Sequence, residues 1–97
     1  MKNCSNEICM GFFRNFSNPL KLKIILALKE KPGSVNELSK KVGVEQSTLS
    51  HALSMLNHCS IVTAKQKGKQ RIYFLNKRTI LPMLNSFKKH KEECCEK

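Results

Sequence analysis

The spacing of apolar positions changes several times along the chain, and each change marks an element. Ile8, Cys9, Phe12, Phe13 and Phe16 recur at helical intervals and predict a helix over about 6–16 with one apolar side. Residues 1–5 show no period and read as a flexible arm. Asn18-Pro19 reads as the start of a second helix, with Asn as N-cap and Pro at the first helical position, where its missing N–H costs nothing. Leu20, Leu22, Ile24, Ile25, Leu26, Ala27 and Leu28 make that helix apolar over more than half its circumference, so it is expected to be central. Lys31-Pro32-Gly33 breaks it.

Ser34 followed three residues later by Glu37 is a capping-box pattern, which starts a third helix near Val35. Gly43, one residue past the apolar Val42, supplies a left-handed helix end. A fourth helical pattern opens near Glu45, with Leu49, Ala52, Leu53 and Leu56 apolar and Gln46, Ser47, Thr48, Ser50 and His51 on the other faces. Two short helices joined at a glycine turn make a helix-turn-helix. After a linker at His58-Cys59-Ser60, the β-prone segments 61–66 and 70–75 flank a turn at Lys67-Gly68-Lys69, which is a hairpin signal. Ile80, Leu84, Phe87 and Cys94 then share one face of a last helix over 79–95, with Thr79 as its cap and Pro82 in its first turn. The order predicts a mainly α fold with a small β-hairpin, a winged helix-turn-helix of about five helices and a two-stranded wing. A chain of 97 residues is enough for one compact domain over 1–97 and too short for two.

Charge turns this scaffold toward a polyanion. Lys and Arg outnumber Asp and Glu by 18 to 7, a formal charge of +11 spread along the whole chain. Such a field favours nucleic acid or another anionic surface. Small hydroxyls and an amide on a helix can approach base edges, so Gln46, Ser47, Thr48, Ser50 and His51 are expected to face the major groove of double-stranded DNA. Singly, these are ordinary first-turn residues, and Lys65, Lys67, Lys69 and Arg71 are an ordinary solvated loop. A basic hairpin directly after a recognition helix can instead neutralise flanking phosphates. Two rival uses of the fold are a protein-docking module within a larger complex and an RNA-binding winged helix; the basic wing argues against the first.

No Gly-rich phosphate loop or paired-carboxylate spacing is visible, so the chain is not expected to be an enzyme. No stretch approaches the roughly 18 apolar residues of a membrane span, and no signal peptide is readable, which points to the cytoplasm and reduced thiols. Cys59 reads as a small buried hydrophobe and His58 as a surface residue.

The stretches 19–26, 35–38, 46–56 and 68–75 together resemble the small prokaryotic repressors of the ArsR/SmtB family, from about Phe13 to Leu75 and more weakly to Cys94. The resemblance implies a homodimeric repressor whose terminal helices, 6–16 and 79–95, pair between subunits. A twofold dimer then implies a palindromic operator. The family's thiolate metal box does not carry over, because Ser34 and Asn36 stand at its positions. Its C-terminal zinc site is only half kept: His90 and Glu93 are present, while Lys77 and Thr79 replace the aspartate and histidine. No cofactor is expected to be required. If the terminal helices pair, Cys4 or Cys9 could meet His90, Cys94 or Cys95, and these five are the candidates for thiol or metal sensing.

Overall fold

The computed structural model describes the backbone of residues 6–90 and the side chains of residues 11–90. Five helices and three strands follow in the order α1 (Asn6–Ser17), α2 (Pro19–Glu30), β1 (Gly33–Ser34), α3 (Val35–Val42), α4 (Gln46–His58), β2 (Val62–Lys67), β3 (Gln70–Leu75) and α5 (Lys77–His90).

Local chemistry places most of these boundaries. Asn18 Oδ1 accepts from the Lys21 amide at 3.0 Å and caps α2, with Pro19 as its first helical residue. At α3 the capping box is complete: the Glu37 amide donates to Ser34 Oγ at 3.2 Å, and the Ser34 amide donates to Glu37 Oε1 at 2.9 Å. Gly43 ends α3 at φ 84°, and the amides of Gly43 and Val44 both donate to the Ser39 carbonyl. That region costs a residue with a Cβ roughly 1–2 kcal/mol. Ser34→Ala removes one half of the box and is expected to cost about 1 kcal/mol of stability, measurable as a lower denaturant midpoint with an unchanged slope.

The core forms around α2, whose Ile24, Ile25 and Leu28 are fully buried. Leu38 of α3, Leu49, Leu53 and Leu56 of α4, then Ile61, Val62 and Ile80 close over it. The helix apolar over most of its surface is the central one, as its sequence requires.

Three features depart from the sequence expectation. The wing belongs to a three-stranded antiparallel sheet in the order β1-β3-β2, not a two-stranded one. Gly33 pairs with Tyr73 and Ser34 with Ile72, so the two residues before α3 tie the wing to the helix-turn-helix. The hairpin turn is also tighter than expected. Lys67 pairs with Gln70, leaving Gly68 and Lys69 as the turn, with Gly68 at φ 62°.

The last helix begins at Lys77, two residues before Thr79, so Thr79 is not its cap. Asn76 holds this end instead. Its amide donates to the Ile61 carbonyl and its Nδ2 to the Ser60 carbonyl, both at 2.9 Å, and its own carbonyl accepts from the Ile80 amide. Pro82 consequently falls in the second turn, where it removes the donor that would meet the Arg78 carbonyl. The rest of the expected helix, 91–95, and the arm over 1–5 lie outside the described residues. Among the described residues, no helix is long and apolar enough to cross a membrane.

Candidate nucleic-acid interface

Burial of Leu49, Ala52, Leu53 and Leu56 fixes the rotation of α4. Gln46, Ser47, Thr48, Ser50 and His51 are all exposed as a result. Glu45 precedes the helix without a side-chain hydrogen bond to it, so the first amides of α4 stay open to an acceptor from outside, such as a phosphate oxygen.

The wing cations lie on both faces of the hairpin. Side chains alternate across a strand, and directly paired residues share a face. Lys65 opposite Ile72 and Lys67 opposite Gln70 lie on one face, together with Thr63 and Phe74. The Lys65 ammonium sits 5.7 Å from the centre of the Phe74 ring. Arg71 opposite Gln66 lies on the other face, the one that continues into buried Tyr73 and Leu75. Beside the start of α3, Lys69, Gln70 and Arg71 meet Ser34, Val35 and Asn36 across a shallow recess of about 200 Å³. The basic surface thus comprises an outer wing face and the tip end of β3 beside α3.

Asn36 is the residue that sequence reasoning missed. Its Oδ1 accepts from Gln46 Nε2 at 2.9 Å, which joins the start of α3 to the start of α4. Gln46, Asn36, Arg71 and Lys69 therefore follow one another along one surface.

A second exposed surface is apolar. Phe13 and Phe16 of α1, Leu22 of α2, and Met83, Leu84 and Phe87 of α5 line a groove of about 290 Å³. Phe13 is 58% and Phe87 65% exposed, large values for phenylalanine. Phe12 and Phe16 instead pack on the core; the side chains of Ile8 and Cys9 are outside the described residues.

Of the five sensing candidates, only His90 has a described side chain. His90 is exposed in the last turn of α5, and Lys77 and Thr79 are exposed in its first turn. Cys4, Cys94, Cys95 and the Cys9 side chain lie outside the described residues. Cys59 is half-buried, short of the full burial expected, and its Sγ accepts from Asn15 Nδ2 at 3.5 Å. Asn15, buried in α1, also donates to the carbonyls of Gly11 and Phe12. Among the described residues, no three of His, Cys, Asp and Glu converge on a common metal position.

Residues 18–64, which run from the cap of α2 into the first wing strand, match the family model described as bacterial regulatory protein, arsR family. The biofilm growth-associated repressor of Xylella fastidiosa is 30% identical over 86 residues, covering 89% of this chain and 75% of that one. The chain belongs to the ArsR family. Members of the ArsR family are winged-helix regulators, so this chain is a DNA-binding regulator of transcription. Two solved structures extend the match over the whole fold. The crystal structure of Mycobacterium tuberculosis Rv0081 superimposes with a TM-score of 0.85 at 28% identity, covering 93% of this chain and 91% of that one. NolR from Sinorhizobium fredii gives 0.78 at 27% identity, over 92% of this chain and 95% of that one. The ArsR assignment does not favour the protein-docking and RNA-binding alternatives.

Proposed function

We propose that this ArsR-family chain is a homodimeric repressor that binds a palindromic double-stranded operator. In this reading Gln46, Ser47, Thr48, Ser50 and His51 enter the major groove, and Lys65, Lys67, Lys69 and Arg71 hold the flanking backbone. The observation that carries it is the outward polar face of α4, which runs through Asn36 to the basic tip end of the wing. The apolar groove between α1, α2 and α5 supports a second copy as its occupant. A twofold dimer would set two recognition helices about one DNA turn apart.

The protein acts in the cytoplasm, without catalysis and without a required cofactor. Cys4, Cys9, His90, Cys94 and Cys95 remain the groups through which a metal or an oxidant could modulate it. Binding unchanged by zinc, chelator and oxidant marks a constitutive repressor; release by any one of them assigns those five groups a sensing role.

The test separates readout from positioning. Lys67→Ala and Lys69→Ala are expected to weaken binding to every duplex alike and to lower the salt slope by about 0.9 for each phosphate that is no longer neutralised. Gln46→Ala should instead change which sequence is preferred. Equal losses on specific and random duplex from Gln46→Ala would remove α4 from base readout.

A further inference from the structure

Gln46 is the first residue of α4 and Asn36 the second of α3. Both are exposed, yet Gln46 Nε2 donates to Asn36 Oδ1 at 2.9 Å across the turn of the helix-turn-helix. The elements that carry them are held rigidly. The capping box fixes the first turn of α3, Gly43 and Val44 fix its end on the Ser39 carbonyl, and β1 ties Ser34 to the wing. Asn36 also lines the recess shared with Lys69, Gln70 and Arg71, so it stands beside cations suited to a DNA backbone.

A free glutamine amide is ambiguous as a base reader. It can present its oxygen and one N–H, or both N–H groups, and it can rotate to reverse their order. Committing one Nε2 hydrogen to Asn36 removes that freedom. What remains is Oε1 as acceptor and a single N–H as donor. That pair matches the N6 donor and N7 acceptor of adenine in the major groove, and it cannot supply two donors to guanine O6 and N7.

We propose that Asn36 is a specificity-determining positioning residue: by holding the Gln46 amide in one orientation, it makes Gln46 a reader of adenine at one position of each half-site. This rests on the reading of α4 as the recognition helix. A good bidentate contact of this kind discriminates its base by roughly 5- to 150-fold, and the gain from Asn36 comes from preorganisation.

The experiment selects a preferred site for the unaltered chain from a random duplex pool, then measures affinity for every single-base variant of that site. Asn36→Ala is expected to relax the adenine preference by about fivefold or more, at the same position that Gln46→Ala relaxes, with other positions and random duplex unchanged. Asn36→Asp keeps an acceptor for Gln46 Nε2 but adds a negative charge. It should retain the adenine preference while weakening binding to all duplexes. In the Gln46→Ala background, Asn36→Ala should have no further effect on preference, the mark of two residues acting as one unit. A parental preference in Asn36→Ala, or an equal loss at every position, overturns the role of Asn36 and leaves the α4 reading intact. Selection of no site by the unaltered chain, or no change of preference in Gln46→Ala, overturns both. The variants are compared at equal thermal stability, since both side chains are exposed.

Discussion

Phe13→Glu combined with Phe87→Glu is expected to give a folded monomer whose DNA affinity falls by about a hundredfold or more, because joining two binding modules gains roughly 10²–10⁴ in avidity. Both rings are exposed in the groove between α1, α2 and α5, so the substitutions leave the buried core intact. Two carboxylates on each copy would face their equivalents across a twofold axis, where burying unpaired charge is costly. Sedimentation across a range of concentrations reads the oligomeric state, and circular dichroism checks that the helices persist. A dimer that survives both substitutions would move the interface elsewhere on the molecule. The salt slope of the monomer should fall to about half, since one subunit contacts half as many phosphates.

Leu53→Ala acts on the opposite side of the same structure. Leu53 has no exposed surface and lies on the inner face of α4, against the cluster that includes Ile24 and Leu28 of α2. Truncating such a residue costs about 2–5 kcal/mol through the forfeited transfer energy and the cavity left behind. A domain of this size has only about 5–15 kcal/mol in total. The melting temperature is expected to fall by roughly 10–25 °C at fixed protein concentration. DNA affinity measured well below the new melting point should change little, because Leu53 is fully buried in the core and exposes nothing to a ligand. A melting point within a few degrees of the parent would mean that α4 is not anchored through this face.

How much of this was legible in the chain depends on the range of the interaction. Ser34 with Glu37, Asn18 with Pro19, and Gly43 after Val42 set their helix ends through contacts only a few residues long, and each end falls where the sequence puts it. The polar face of α4 follows from its apolar positions by rotation alone. β1 was not legible, since a two-residue strand has no period and exists only because β3 lies beside it. Nor was the start of α5, which is held by Asn76 through the carbonyls of Ser60 and Ile61, 16 and 15 residues back in the chain.

The division of the wing cations depended on register. With the turn confined to Gly68 and Lys69, Lys65 and Lys67 fall on the face opposite Arg71. Spacing within one strand could suggest alternation, but not which partner each cation would meet. The pairing of Asn36 with Gln46 was hidden for a similar reason. Ten residues and a left-handed turn separate them, and Asn36 looked notable only as a position lacking a metal-binding thiolate. The exposed polar and basic surface consequently extends beyond α4 to the start of α3 and the tip end of β3.

The outward face of α4 and the wing are expected to form a selective duplex-DNA interface. Its most direct test is a titration of the full chain against a duplex site selected from a random pool, a scrambled duplex of equal length and a single-stranded RNA, at two salt concentrations. The expected result is binding to the selected duplex tighter than to the scrambled one by roughly 10³-fold or more, with affinity for both duplexes falling steeply as salt rises. Equal affinity for the two duplexes, or stronger binding to the RNA, would mean that α4 and the wing do not form such an interface.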